Sequence, residues 1–228
     1  MISIIIPTYN EEDNIEKLIL YLQKCCNNKQ VEIIVADAVS TDRTVSIAAA
    51  TGAKVVMSKK KGRAAQMNSG TMQAAFDILY FVHADSIPPE TFYTDIINAI
   101  KNDYSIGRYR TKFVGGIWLL KLNAFFTRFD WFMCYGGDQT LFVTKKLFNE
   151  INGYDEKFLL MEEFDLVTRA KQKSKYKIFP SATLASTRKY ETNSWLAVQR
   201  ANYKAVQLFK SGASQEVLVN TYNKFLRK

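Results

Sequence analysis

Three polar clusters in this 228-residue chain follow directly on short apolar runs: Pro7-Thr8-Tyr9-Asn10-Glu11, then Asp37 with Asp42, then His83-Ala84-Asp85. A carboxylate at the end of a strand can accept a ribose hydroxyl or a uracil N–H. Asp85 beside His83 can hold a divalent cation that bridges phosphate oxygens. Asp42 reads equally as a helix cap. His83 is the only histidine, so neither a multi-histidine metal site nor a histidine relay can be built, and a strand-end histidine is as often just a satisfied polar group. Asp85 is the better metal ligand. A basic run, Lys59-Lys60-Lys61-Gly62-Arg63, stands immediately before a helical segment. There Arg63 offers a planar two-point donor to a diphosphate, with the positive helix N-terminus behind it, while Lys59 and Lys60 read as solvated charge.

These clusters need a scaffold that brings them to one edge. The apolar, β-branched runs at 2–6, 31–36, 54–57 and 78–82 alternate with helical segments, the pattern of βαβ units on a parallel sheet. Asn10 is placed to cap a helix beginning at Glu11-Glu12-Asp13, with Ile15, Leu18, Ile19 and Leu22 as its apolar stripe. Further helices are expected over 44–50 and 64–75. Strand C-termini would then share one rim, where open parallel sheets bind ligands. Beyond Pro88-Pro89 the sequence predicts a helix through Phe92, Ile96, Ile97 and Ile100, a strand over 105–113, and an amphipathic helix in the aromatic stretch 113–135. After these come a strand over 141–143, helices over 145–151 and 164–173, and terminal helices over 195–209 and 214–225.

Composition agrees with a globular enzyme-sized unit. At 26.1 kDa, 47% hydrophobic residues with only 10 Gly and 4 Pro exclude a disordered or collagen-like chain. The expected organisation is one domain, with a nucleotide-binding half at 1–112, an acceptor half at 113–186 and a helical extension at 187–228. A net charge of +9 calls for an anionic partner. Scattered basic residues without a recognised motif disfavour nucleic acid. Cys25, Cys26 and Cys134 give neither a disulfide framework nor zinc-ligand spacing, so a reducing, cytoplasmic setting is expected. The first residues read as a buried strand rather than a leader. Trp118, Phe125, Phe126, Phe129, Trp131 and Phe132 exceed what one helical face buries, and Lys121 and Arg128 lie among them, a composition that fits peripheral contact with an anionic membrane surface.

PTYNE, DAVSTDRT and HAD in this order, joined by KGRAAQMNSG, GGDQTLFV and LMEEFDL, resemble family-2-type glycosyltransferases of the GT-A fold, specifically a bacterial subgroup with a His-Ala-Asp motif. The resemblance implies a Rossmann-like α/β/α sandwich with a mostly parallel sheet. It implies transfer of a sugar from a nucleotide-diphosphate sugar to a hydroxyl acceptor, on a sugar or a lipid-linked molecule, with inversion and a divalent cation, Mn2+ or Mg2+. It marks Pro7, Thr8, Tyr9 and Glu11 as nucleotide contacts and Asp37 as the base or ribose contact. Arg63 and Asn68 fall on the pyrophosphate and sugar side, His83, Ala84 and Asp85 on the metal motif, and Arg188 on a late clamp for the leaving group. Among the acids Asp138, Glu162 and Glu163, it ranks Glu163 narrowly ahead of Asp138 as the base. Two departures stand out: Ala38-Val39 replaces a glycine-rich turn, which puts a Cβ where positive φ is costly for Val, and Glu162-Glu163 replaces a Glu-Asp pair. A non-catalytic nucleotide-sugar-binding module and a nucleotidyltransferase of similar architecture are the competing readings.

Overall fold

In the first strand, β1 (Ile2–Thr8), Ile2, Ile4 and Ile6 face one apolar cluster and Ile5 faces another, and every residue of the strand is buried. A period of two with apolar groups on both faces requires layers on both sides of the sheet. The computed structural model describes residues 1–27, 29–115, 117–136 and 140–226. Within them, α1 (Glu12–Cys25) and α4 (Phe92–Lys101) supply Ile15, Leu18, Ile19, Leu22 and Ile96 to one layer. Helices α3 (Arg63–Met72), α6 (Lys145–Glu150), α7 (Glu162–Lys171) and α9 (Trp195–Lys210) supply Met67, Leu147, Leu166 and Val206 to the other. On α3, Gly70 lies so close to the sheet that a Cβ there would meet Ile5 Cγ2 at 2.5 Å.

The remaining strands are β2 (Val31–Asp37), β3 (Lys54–Met57), β4 (Ile78–Phe81), β5 (Ser86–Ile87), β6 (Tyr104–Phe113), β7 (Leu141–Thr144) and β8 (Lys175–Ala185). The sheet order is β3-β2-β1-β4-β7-β6-β8-β5. β1 pairs in parallel with β2 and β4, and β2 with β3. β7 lies antiparallel between β4 and β6, β8 is parallel to β6, and β5 is antiparallel to β8. The sheet is therefore mostly parallel, as expected, and the C-terminal ends of β2, β1 and β4 stand side by side on one rim. α2 (Thr44–Ala50), α5 (Leu119–Phe126), α8 (Lys189–Thr192) and α10 (Gln215–Phe225) complete the elements used below.

Two local expectations are corrected, and one strand is added to them. Asn10 does not cap α1: it sits in the left-handed region at φ 55, and its side-chain oxygen accepts from the Thr41 N–H at 2.9 Å, joining the loops after β1 and β2. The stretch 113–135 is not one helix. α5 stops at Phe126 because Arg108 Nη1 and Nη2 take the carbonyls of Thr127 and Phe129, at 2.7 and 3.1 Å; a single 3-10 turn then covers Phe132–Cys134. β8 has no counterpart in the sequence reading because Pro180 interrupts it. The ladder with β6 steps from Tyr109–Phe179 to Arg110–Ala182, so Pro180 falls in the irregularity where no ladder hydrogen bond is needed.

Candidate functional site

The rim is built from loops that bind one another. Asp37, fully buried at the end of β2, accepts from Thr8 Oγ1 at 2.8 Å, from the Ser40 N–H at 2.7 Å and from Ser40 Oγ at 2.6 Å. Its carboxylate thus shapes the β1 and β2 loops from beneath, and Ser40 is the neighbour nearer the surface. Val39 takes φ 62 and is 55% exposed, so the substituted turn does adopt the left-handed conformation that Gly would hold at no steric cost. Asp42 is a cap: it accepts from the Thr44 N–H at 3.0 Å and from the Glu12 N–H at 3.1 Å, tying the starts of α2 and α1. Gln66, not singled out by sequence, is buried and donates to the carbonyls of Thr8 and Ala36 at 2.6 and 2.9 Å, bracing both strand ends from α3. A long amide set between Ala64-Ala65 and Met67 of that helix was the signal for it.

Around this base lie the charged groups. Tyr9 exposes its ring to solvent, with Lys61 Nζ 5.2 Å from its centroid. Arg188, just before α8, places Nη2 3.1 Å from Glu11 Oε1 and 3.9 Å from Asp85 Oδ2. It thereby joins the β1 loop, the turn after β4 and the C-terminal extension. Pro7, near the end of β1, and Ala84, in the turn after β4, are buried beside these groups.

The second cluster holds the acids. α7 starts from Met161 in the left-handed conformation and points Glu162 and Glu163 inward, 3% and 6% exposed, rather than leaving them solvated. Glu163 Oε1 is 3.1 Å from His83 Nε2, and Glu162 Oε1 is 3.7 Å from Arg63 Nη1. Burial pushes Glu163 up, but the His83 hydrogen bond and the charge of Arg63 outweigh it and hold the carboxyl below its usual range. An ionised carboxylate only accepts, so His83 Nε2 carries the hydrogen in this contact. Glu162 is pushed up to about 8, by burial first and by the neighbouring Glu163 charge second, with Arg63 opposing. Of the two buried carboxyls, Glu162 is therefore the one that favours the proton.

The other predicted positions fall as follows. Asn68 donates to the Tyr154 carbonyl at 2.9 Å and accepts from the Tyr154 N–H at 3.0 Å, fixing the loop after α6. Asp138 lies outside the described residues. Among the described residues no three His, Cys, Asp or Glu side chains gather as a metal cage, and His83 Nε2 is spent on Glu163. Asp85 alone, a hard and partly exposed carboxylate on the rim, suits a cation whose other ligands are diphosphate oxygens and water, the usual arrangement for Mg2+ and its relatives. Among the described residues no helix is long and apolar enough to cross a membrane.

Comparison with known proteins bears on the family and the fold. The profile of Glycosyl transferase family 2 matches residues 3–154. A dolichol-phosphate mannosyltransferase of Pyrococcus furiosus is 34% identical over 113 residues, 46% of this chain and 32% of the relative, so the match spans about a third of that protein. Among solved structures, the mannosyltransferase PcManGT of Pyrobaculum calidifontis, in complex with GDP-Man and Mn2+, superposes with a TM-score of 0.70 at 13% identity, covering 98% of this chain and 69% of that one. TarS 1-349 of S. aureus with UDP-GlcNAc gives 0.68 at 16% identity, covering 98% and 71%. Glucosyl-3-phosphoglycerate synthase of Mycobacterium tuberculosis, with Mn2+, UDP and glucosyl-3-phosphoglycerate, gives 0.64 at 19% identity, covering 93% and 80%.

Proposed function

Because this chain belongs to glycosyl transferase family 2, we propose that it moves a sugar from a nucleoside-diphosphate sugar to a hydroxyl acceptor with inversion, using Glu163 as the base. The observation that carries the reading is the linkage of distant segments at one rim: Glu11 to Arg188 to Asp85, and His83 to Glu163. In this reading the nucleotide base lies on the exposed Tyr9 ring, and the Thr8–Asp37–Ser40 network sets the shape of the base and ribose pocket. Arg63 and Arg188 face the diphosphate, where planar guanidinium groups match two oxygens at once.

Asp85 would hold the divalent cation, which when bound neutralises charge on the leaving diphosphate. Glu163 takes the acceptor hydroxyl proton as that oxygen forms its bond to the anomeric carbon. The bond from that carbon to the diphosphate breaks with its electron pair leaving on the nucleotide. A base must be ionised before it acts, and His83 with Arg63 keeps Glu163 so. A protonated Glu162 limits the buried negative charge beside it. Asp138 remains the alternative base. The solved neighbours bound to UDP-GlcNAc, UDP or GDP-Man support a donor of this class, and the dolichol-phosphate relative supports a lipid-linked acceptor.

The test is a donor screen. UDP-, GDP- and dTDP-sugars are added with Mn2+ or Mg2+, and melting temperature and nucleotide release are followed. One donor is expected to raise the melting temperature only with metal and to release nucleotide slowly. Stabilisation without any release, with every acceptor class supplied, would favour a binding module instead.

A further inference from the structure

α5 presents its apolar side to water. Trp118, just before the helix, and Leu122, Phe125 and Phe126 within it recur at the i, i+4, i+7 and i+8 positions of one face. All are exposed, Trp118 to 72%, whereas Leu120 is the only buried residue of the helix. This inverts the usual surface helix, whose apolar stripe turns inward. The patch continues through Trp131, stacked on Phe129 at 4.7 Å and on Phe126 at 5.8 Å, and Ile117, next to Trp118 in the chain, is exposed as well. A contiguous apolar surface of this kind marks an interaction site.

Charge decides the partner. Lys121 and Arg128 stand exposed within the patch, the Arg128 guanidinium lying 3.9 Å over the Phe125 ring. The one acid between 113 and 136, Asp130, is neutralised by Lys171 Nζ at 2.5 Å and Tyr135 OH at 2.7 Å. A second copy would bring these cations against their own images. An anionic bilayer meets both features, with aromatic rings seated at the headgroup boundary and the cations among lipid phosphates. We propose that the face formed by Trp118, α5 and Trp131 docks the protein peripherally on an anionic membrane surface. Asn123 of α5 accepts from Trp195 Nε1 at 3.3 Å and donates to Tyr190 OH at 3.5 Å, so the docking face is joined to the segment that carries Arg188.

Flotation with lipid vesicles tests this without donor or turnover, so its failure is separable from failure of the glycosyl-transfer reading. Vesicles of phosphatidylcholine, with or without about 30 mol% phosphatidylglycerol, are compared at about 0.1 M salt, where headgroup charge is still felt. The wild type is expected to float with the anionic vesicles and to bind neutral ones roughly tenfold more weakly. Lys121→Glu should lose about tenfold of the anionic binding, and Trp118→Ser should weaken binding with unchanged melting temperature, both side chains being solvent-exposed. A wild type that stays wholly in the soluble fraction overturns the proposal, as does a Lys121→Glu variant that floats undiminished. Sedimentation showing a dimer that Trp118→Ser dissociates would assign the face to a second copy and overturn it likewise.

Discussion

Replacing Glu162 by Gln removes an ionisation that burial penalises, and the effect must depend on pH with a defined sign. The carboxyl is 3% exposed, and its folded value stands at about 8 against an ordinary 4.5. A group raised in the folded state favours folding fully below its unfolded value and loses that contribution as pH climbs through the folded value. Wild-type stability should therefore fall between pH 4.5 and about 8 and level off above it. The span corresponds to an upper bound on the order of 5 kcal/mol. Relaxation and water entry reduce this, leaving roughly 2–4 kcal/mol, or about 5–15 °C for a chain of this size. Gln keeps a donor toward Glu163 in place of the carboxyl proton, so the two proteins should melt within a few degrees of each other near pH 6. By pH 9 the variant should be the more stable. Melting curves of both proteins from pH 5 to 9, taken as a difference to cancel every other titrating group, read this out. Parallel curves, or a variant that loses stability faster with rising pH, would refute the assignment of the proton to Glu162.

Other expectations follow from the same contacts. Glu163→Gln should lower kcat by about 10²–10⁴-fold, the usual contribution of a general base, with donor affinity nearly unchanged; normal turnover would transfer the role to Asp138. Val39→Gly relieves an exposed left-handed valine at φ 62 and should raise the melting temperature by roughly 2–4 °C, the equivalent of about 1 kcal/mol after the added freedom of the unfolded chain is deducted. Arg188→Ala should raise the donor KM by roughly tenfold through loss of a charge-assisted contact, while stability moves little because its pair with Glu11 is partly exposed; an unchanged KM would remove Arg188 from the site.

Much of the scaffold was legible because its signals are local. The β-branched runs of β1 to β4, the stripe of α1 and the polar residues at strand ends fix four strands and their rim from period and punctuation alone. β8 was not legible because Pro180 and alternating lysines disguise a strand whose partner, β6, tolerates an irregularity opposite the proline. The end of α5 was hidden for a related reason: Arg108, nineteen and twenty-one positions upstream, takes the carbonyls of Thr127 and Phe129 just beyond it.

At the site, residue types were readable but their pairings were not. His83 looks like half of a metal motif with Asp85, yet its imidazole reaches Glu163, eighty positions along the chain. Asp37 reads as an acceptor for a ribose hydroxyl or base N–H, and its carboxylate is buried under Thr8 and Ser40. Such partnerships depend on how α7 and the C-terminal segment return to the rim, which no local pattern encodes.

In the proposed function Asp85, Arg63 and Arg188 form one metal-assisted diphosphate site. Calorimetric titration of UDP and GDP into the wild type and Asp85→Asn, with and without Mn2+, tests it most directly. One nucleotide should bind the wild type at least about tenfold more tightly with Mn2+, and Asp85→Asn should abolish that gain while keeping its fold. Metal-dependent binding that survives Asp85→Asn, or no binding of either nucleotide to the wild type, would contradict it.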